Sequence, residues 1–120
     1  MARILVADDE EMVRHTLCGL FEFAGHETIE ASDGEEAIQH YREALPDLVI
    51  TDIKMPKKDG LEVIQDLKAD FPNVKIIAIT GYEPDSLHLA EKLGASYTLT
   101  KPYRTGELMD IVNKLLEEAP

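Results

Sequence analysis

The stretch RILVADD, Arg3–Asp9, joins a short apolar run to two adjacent carboxylates, and the rest of the chain is interpreted outward from it. A near-continuous apolar run such as Arg3–Ala7 is typical of a strand that is covered on both faces of a parallel sheet. Two later runs have the same character, Leu48–Thr51 and Ile76–Ile79. Two weaker runs indicate edge strands, Thr28–Ala31 and Tyr97–Thr100. The chain therefore predicts five short strands.

Apolar residues at helical spacing separate these strands. Gly25 is placed to end the first helix, while Pro84 begins and Gly94 ends the fourth. Five β-α units in succession imply a parallel sheet with helices on both faces and right-handed crossovers, which is an α/β fold. A chain of 120 residues suits one such domain and is too short for two, so residues 1–120 are predicted to form a single domain.

The net charge of −12, from 12 basic and 24 acidic residues, limits which partners the surface accepts. Such a surface repels nucleic acid and anionic lipid and attracts cations and basic protein surfaces, so direct binding to nucleic acid or a membrane is not expected. No apolar run approaches the roughly 20 residues needed to cross a bilayer, and no cleavable signal pattern opens the chain. The single cysteine, Cys18, excludes an internal disulfide, and a cytoplasmic location is predicted.

Polar side chains follow the predicted strands at the points where the strands end. Asp8 and Asp9 follow the first strand, Asp52 the third, Thr80 the fourth and Lys101 the fifth. In parallel α/β sheets the ligand crevice lies outside the carboxyl ends of the strands, so these side chains are predicted to converge there. Each alone has an ordinary explanation as a helix cap, a turn or a loop residue, but their coincidence at one edge favours a functional site.

Three carboxylates at close range repel one another, and a hard cation would relieve that repulsion. Oxygen ligands, few in number, suit Mg²⁺ better than a soft or redox-active metal. The four histidines are scattered and the one cysteine stands alone, so zinc is not favoured. Beside Mg²⁺ and a lysine, a carboxylate is predicted to act as a nucleophile towards phosphorus, with the lysine and the hydroxyl holding the other phosphoryl oxygens.

Together these residues form a pattern that resembles the receiver domain of two-component response regulators. The resemblance spans the chain from Ile4 to Leu116, and its motifs are specific in combination. They are Asp8-Asp9, Asp52 with Met55-Pro56 and Asp59-Gly60, Thr80-Gly81, and Lys101-Pro102-Tyr103 with Glu107-Leu108. The resemblance implies a flavodoxin-like five-stranded sheet with the strand order 2-1-3-4-5, sandwiched by five helices.

The resemblance also implies roles for individual residues at the metal site. Asp52 would be the phosphoacceptor and a metal ligand, Asp9 a direct Mg²⁺ ligand, and Asp8 a ligand that acts mainly through water. The backbone carbonyl of Lys54, two residues after Asp52, would complete the protein's share of the coordination. These assignments make Mg²⁺ the expected cofactor.

For the phosphoryl group, the resemblance implies a hydrogen bond from Thr80 and an ion pair with Lys101, whose peptide bond to Pro102 is expected to be cis. The donor would be a histidine kinase or a histidine phosphotransfer protein. The transfer would change the affinity for a downstream effector protein or a fused output domain. The chain would then be a signalling module that catalyses only its own phosphorylation and dephosphorylation, and not a turnover enzyme.

One position departs from the family pattern. Receivers usually carry an aromatic switch residue three positions before the lysine, where this chain has Thr98. The neighbouring Tyr97 lies on the opposite face of the strand, because side chains alternate along it. Two arrangements are compatible with this departure: Thr98 serves as the switch with a smaller movement, or Tyr97 is a fixed surface contact. We expect Tyr97 to be a fixed, partly exposed residue.

Several other side chains carry less specific expectations. Lys54 and Tyr82, each two residues beyond a site residue, offer no carboxylate or amide to orient water, so slow self-dephosphorylation is predicted. The exposed side of the first helix, near Arg14 and His15, is expected to dock the phosphoryl donor. Met12 is expected to pack in the interior.

Three alternative functions have less support. A phosphatase of the haloacid-dehalogenase type also uses Asp, Mg²⁺ and lysine, but it would have Asp where this chain has Lys54. A flavin-binding protein of flavodoxin type would need a phosphate-binding loop in place of the acidic run Asp8–Glu11. A phosphorylation-independent pseudo-receiver adaptor is disfavoured because all five site residues are present. The sequence is compatible with a stand-alone receiver and with part of a longer regulator, whose linker would begin near Glu118–Pro120.

Overall fold

The computed structural model describes residues 1–81 and 84–118, in which strands and helices alternate. The strands are β1 (Arg3–Ala7), β2 (Glu27–Ala31), β3 (Leu48–Asp52), β4 (Ile76–Thr80) and β5 (Tyr97–Thr100). The helices are α1 (Glu11–Phe23), α2 (Gly34–Ala44), α3 (Gly60–Asp70), α4 (Pro84–Leu93) and α5 (Thr105–Glu117). Helices α1 and α5 have 13 residues each, and no helix in the described ranges is long and apolar enough to cross a membrane. Tyr82 and the last two residues of the predicted linker lie outside the described residues.

All five strands form one parallel sheet in the order β2-β1-β3-β4-β5, which confirms the predicted fold class and the two edge strands. β3 and β4 each extend one residue beyond the apolar runs, to Asp52 and Thr80. The reason is that backbone pairing continues past these polar side chains: the amide of Ile53 donates to the carbonyl of Ile79 at 3.0 Å, and that of Lys101 donates to Thr80 at 2.8 Å. Two of the predicted site residues therefore belong to strands rather than to the loops that follow.

Side chains of the central strands pack alternately into two apolar clusters, one on each face of the sheet. In β1, Ile4 and Val6 join the cluster with α1 and α5, while Leu5 and Ala7 join the cluster with α2, α3 and α4. This burial on both faces explains why the central strands have continuous apolar sequences. Cys18 is buried in the first cluster as a small apolar residue.

The ends of three helices agree with the sequence signals. Gly25 and Gly94 follow α1 and α4 with φ of 96° and 114°, a region that glycine adopts without a Cβ clash. Helix α3 ends at Asp70, ahead of Pro72. The end of α2 is different, because Leu45 adopts a φ of 46° although it is not a glycine. That end therefore carries no glycine signal in the sequence.

The expectation that Met12 packs in the interior is wrong. Its side chain lies in the first turn of α1 and the residue is 83% exposed. The reason is its position on the helix, at the rim of an open groove between α1 and the segment that contains Tyr103 and Leu108. The apolar stripe of α1 that faces the sheet begins one residue later, with the half-buried Val13.

Gly60 is the residue at which the loop after β3 returns to the strand it left. Its amide donates to the carbonyl of Ile53 at 2.7 Å, at the first residue of α3. A Cβ at this position would overlap the carbonyl oxygen of Asp52 and would lie 2.7 Å from the Cα of Ile53. Because both obstacles are backbone atoms, a side chain here would force the loop away from Asp52.

We expect Gly60→Ala to lower the free energy of unfolding by about 2 kcal/mol, since the added methyl group has no space beside the β3 backbone. Gly19→Ala is the matched control, because Gly19 is exposed in the middle of α1 with no other atom near its missing Cβ. That change should raise the stability by about 0.5–1 kcal/mol. Urea unfolding followed by circular dichroism measures both, and an equally stable Gly60→Ala variant would contradict the close contact.

Candidate functional site

The three predicted carboxylates meet at the carboxyl edge of the sheet. Asp8, Asp9 and Asp52 each offer one oxygen, and these oxygens all lie within 4.8 Å of one another. The ammonium of Lys101 lies 3.4 Å from Oδ2 of Asp52 and 4.0 Å from Oδ2 of Asp8. Asp8 and Asp52 are buried and Asp9 is exposed, so the cluster opens to solvent on the side of Asp9.

Backbone hydrogen bonds fix the two buried carboxylates. Oδ1 of Asp52 accepts from the amide of Ile53 at 2.8 Å, which leaves Oδ2 facing Lys101. Oδ1 of Asp8 accepts from the amide of Glu10 at 2.9 Å, in the turn that leads into α1. In each aspartate one oxygen is held by the backbone and the other oxygen is directed at the same ammonium group.

The site carries more negative than positive charge. Burial raises the pKa of Asp52 above its ordinary value, although the charge of Lys101 offsets part of the rise. Burial also raises the pKa of Asp8, and the hydrogen bond from Glu10 opposes this effect. For Lys101, burial would lower the pKa, but Asp52 and Asp8 together outweigh it and the pKa is raised. One ammonium therefore serves a cluster of three carboxylates, and the ionised forms of the two buried ones, Asp8 and Asp52, are costly to bury.

The donor set fits a small hard cation. Oxygen atoms of three carboxylates lie close together, and the exposure of Asp9 leaves room for water in the remaining coordination positions. The site includes no histidine or cysteine, so the described residues offer no soft ligand there. Lys54 lies beside Asp9 around a groove of about 570 Å³, and the role of its carbonyl as a ligand stays a prediction.

Thr80 and Lys101 end the two strands next to Asp52. Thr80 is buried as the last residue of β4, and its carbonyl accepts the amide hydrogen of Lys101 at 2.8 Å. The Lys101-Pro102 peptide bond is cis, as the family pattern led us to expect. The ammonium of Lys101 lies beside the carboxylates, 3.4 Å from Oδ2 of Asp52.

The residue at the usual switch position, Thr98, is half-buried and its hydroxyl donates to Oε1 of Glu91 at 3.2 Å. This bond links β5 to α4. Tyr97 is 44% exposed, which confirms the expected partial exposure; that it is fixed stays a prediction. Tyr103 was predicted as part of the motif Lys101-Pro102-Tyr103 but not as a site residue, and it lies near the site. Burial raises the pKa of the Tyr103 phenol, and the charges of Lys101, Asp8 and Asp52 also act on it.

On the side of α1 that is predicted to dock the phosphoryl donor, Arg14 is largely shielded from solvent, and the docking itself stays a prediction. Its side chain is only 13% exposed, because the guanidinium turns inward and Nε donates to Oε1 of Glu30 at 2.8 Å. Its Nη1 donates to the carbonyl of Asp8 at 2.9 Å. His15 is exposed as expected, and its Nε2 lies 3.1 Å from the same oxygen of Glu30.

Comparison with known proteins identifies one family. The family model described as "Response regulator receiver domain" matches residues 4–113. The transcriptional regulatory protein PdtaR of Mycobacterium tuberculosis is 33% identical over 111 residues, which is 92% of this chain and 54% of that protein. The chain spans about half the length of the curated relatives it matches.

Solved structures agree with the family match. A response regulator receiver domain protein from Clostridium thermocellum superposes with a TM-score of 0.92 and 34% identity, covering 97% of this chain and 94% of that chain. The response regulator TrrA from Thermotoga maritima was solved in complex with Mg²⁺-BeF. It superposes with a TM-score of 0.88 and 36% identity, covering 96% of this chain and 99% of that chain.

The raised pKa of Asp52 has a consequence for stability. A carboxyl whose pKa is higher in the folded than in the unfolded chain opposes folding while it is ionised, and this opposition disappears as the pH falls through the folded-state pKa. We therefore expect Asp52→Asn to raise the urea midpoint at pH 7 without divalent cations. The gain should shrink as the pH is lowered towards the usual carboxyl range.

Asp110→Asn, an exposed position on α5, serves as the control and should change the stability by less than about 0.5 kcal/mol. Adding Mg²⁺ should stabilise the wild-type protein more than Asp52→Asn, because the variant lacks one carboxylate. A wild-type protein that is more stable than Asp52→Asn at pH 7 without metal would contradict the electrostatic account.

Proposed function

This chain belongs to the response regulator receiver domain family, and from that membership we propose that Asp52 accepts a phosphoryl group in a Mg²⁺-dependent reaction. Receivers are signalling modules of two-component systems, and they bind Mg²⁺ at an acidic pocket. The observation that supports the proposal most directly is the environment of Asp52. Its buried carboxylate has Oδ2 3.4 Å from Lys101, and it offers an oxygen within 4.8 Å of those of Asp8 and Asp9.

Asp52 has one carboxylate oxygen oriented for the reaction. Oδ1 is held by the amide of Ile53, so Oδ2 is the proposed nucleophile. In the transfer, Oδ2 forms a bond to phosphorus, the bond from phosphorus to the donor's histidine nitrogen breaks, and that nitrogen keeps the electron pair. Mg²⁺, when bound, supplies positive charge that stabilises the phosphoryl oxygens during the transfer.

Lys101 and Thr80 are proposed to hold the transferred group. Asp52 and Asp8 outweigh the effect of burial and raise the pKa of Lys101, so the ammonium stays protonated near neutral pH and can pair with a phosphoryl oxygen. The hydroxyl of Thr80 is proposed to donate to another phosphoryl oxygen. The bond between the Lys101 amide and the Thr80 carbonyl couples the positions of these two residues.

The proposed donor is a histidine kinase or a histidine phosphotransfer protein, and the proposed recipient of the signal is an effector protein or a fused output domain. Curated relatives such as PdtaR are named as transcriptional regulators and are about twice as long as this chain. The excess of acidic residues makes direct contact of this domain with nucleic acid unfavourable. We propose that any such contact belongs to another domain or protein, and that the domain acts in the cytoplasm.

The two alternative functions that share this chemistry have weaker support. An aspartyl phosphatase of the haloacid-dehalogenase type needs an acid two residues after its nucleophile, where this chain has Lys54. A pseudo-receiver adaptor would not need the ammonium of Lys101 to face Oδ2 of a buried aspartate. The described geometry therefore favours a phosphoacceptor.

We expect incubation with Mg²⁺ and acetyl phosphate to add about 80 Da to the protein, the mass of one phosphoryl group. The increase should be absent for Asp52→Asn, which lacks the nucleophile, and absent when EDTA removes Mg²⁺. Lys101→Ala should give a smaller phosphorylated fraction, because the phosphoryl charge loses its partner. Intact-mass spectrometry measures all three.

Two results would contradict the proposal. Equal phosphorylation of wild-type protein and Asp52→Asn would place the phosphoryl group on another residue. Lack of phosphorylation by both acetyl phosphate and a panel of purified histidine phosphotransfer proteins would favour the adaptor function. The free energy of unfolding measured at increasing Mg²⁺ concentrations would then distinguish the two cases. A protein with the metal site is stabilised by Mg²⁺, and one without the site is not.

The lifetime of the phosphorylated state gives a second expectation. Lys54 contributes to the same groove as Asp9 and supplies no carboxylate or amide that would orient an attacking water, so hydrolysis of the phosphorylated protein should be slow. Lys54→Asn should shorten the half-life severalfold, and Tyr82→Ala should act in the same direction. Lys57→Asn is the control, because Lys57 pairs with Asp33 and does not contribute to that groove. Half-lives equal to the wild type in both test variants would contradict this expectation.

A further inference from the structure

The peptide that joins Asp8 to Asp9 is held by a side chain outside the predicted set of site residues. Arg14, in the second turn of α1, donates from Nη1 to the carbonyl oxygen of Asp8 at 2.9 Å. Because a peptide unit is planar, the direction of this carbonyl also sets the direction in which the chain enters Asp9. The two predicted metal ligands therefore share a peptide plane that Arg14 orients.

Asp8 is fixed at three of its atoms. Its amide donates to the carbonyl of Ala31 at 3.0 Å, and its Oδ1 accepts from the amide of Glu10 at 2.9 Å. Both of these bonds use backbone groups of the partner residue, which a substitution leaves in place. The third bond, from Arg14 to the carbonyl oxygen, depends on a side chain, so its contribution can be tested by mutation.

Glu30 determines where the guanidinium of Arg14 points. It lies on β2 opposite Val6 of β1, so the sheet ladder fixes its position. Its Oε1 accepts from Nε of Arg14 at 2.8 Å and also lies 3.1 Å from Nε2 of His15. The donors of a guanidinium lie in one rigid plane, so anchoring Nε on Glu30 directs Nη1 towards the peptide of Asp8. A charge-assisted bond to a well-shielded arginine is stronger than a typical surface pair.

From these contacts we propose that Arg14, held by Glu30, is a positioning residue for Mg²⁺ binding. It fixes the peptide between Asp8 and Asp9 in the orientation that the cation requires. The inference rests on the metal site of the proposed function. Because Arg14 is paired with Glu30, the two side chains together add no net charge, and their contribution is geometric.

Electrostatics and positioning predict opposite signs for the loss of Arg14. Arg14→Ala removes a positive charge close to three carboxylates, so the electrostatic effect alone would make Mg²⁺ bind more tightly. Loss of the positioning bond makes Mg²⁺ bind more weakly, and groups that orient metal ligands typically change affinity by about tenfold or more. We expect about tenfold weaker binding of Mg²⁺ to Arg14→Ala. The direction of the change therefore separates the two effects.

The experiment is a titration of the full ¹⁵N-labelled chain with MgCl₂, followed by the amide chemical shifts of the residues around the site. Glu30→Gln should also weaken Mg²⁺ binding, because the guanidinium loses its anchor and a nearby negative charge is lost. Both effects have the same sign in this variant, so the direction of the change in Arg14→Ala remains the deciding result. Arg14→Lys keeps the charge but offers only one donor group, so its affinity should lie between those of the wild type and Arg14→Ala. The control is Arg42→Ala, which removes the same charge from a pair with Asp70 near the ends of α2 and α3. It should bind Mg²⁺ as tightly as the wild type.

Each outcome decides for or against the proposal. Weaker binding in Arg14→Ala and Glu30→Gln with unchanged Arg42→Ala supports it. If the wild-type protein binds Mg²⁺ and Arg14→Ala binds it equally or more tightly, the proposed role of Arg14 is overturned. The proposed metal site is not affected by that result. No shifts in the wild-type protein overturn both the metal site and this inference. If Arg14→Ala fails to fold, as amide dispersion reports, Arg14→Lys decides, and an affinity equal to the wild type overturns the proposal.

Discussion

Ala7 of β1 lies opposite Thr51 of β3 in the parallel ladder. This register places the residues that follow them, Asp8 and Asp52, side by side at the same edge of the sheet. Every other part of the site depends on that pairing. The two carboxylates lie close together because adjacent parallel strands are about 4.8 Å apart. Three features are arranged around this pair of aspartates. They are the loop after β3 that ends at Gly60, the ammonium of Lys101 and the carboxylate of Asp9.

The same arrangement opposes stability. Buried like charges are unfavourable, and a single ammonium leaves the cluster negative. A chain optimised only for stability would replace Asp8 or Asp52 with a neutral residue of similar volume. The retained charge leaves the site in an unfavourable electrostatic state, which a divalent cation would relieve. Functional sites commonly reduce the stability of a domain in this way.

The fold and most of the site geometry follow from patterns within short segments, which is why the sequence predicted them. Apolar runs predicted the strands, and parallel topology then brought Asp52 and Lys101 to one edge. What the sequence did not predict is how single side chains are placed by contacts or grooves between elements, such as the exposed Met12 at the rim of a groove beside α1. Arg14 turns inward because Glu30, sixteen positions away, lies on the neighbouring strand, and no local pattern encodes that contact. The need for glycine at position 60 arises from the return path of a loop, which periodicity does not describe.

β2 forms an outer edge of the sheet, and the unpaired backbone groups of an edge strand can template the addition of another chain. Glu27 and Glu30 on this strand pair with arginines of their own molecule, Arg3 and Arg14. A second copy of β2 that added to this edge would bring its own acidic residues close to Glu27 and Glu30, and like charges on neighbouring strands are unfavourable. The carboxylate that orients the guanidinium of Arg14 thus also places a negative charge on the strand edge, where it makes the addition of a second copy of this strand unfavourable.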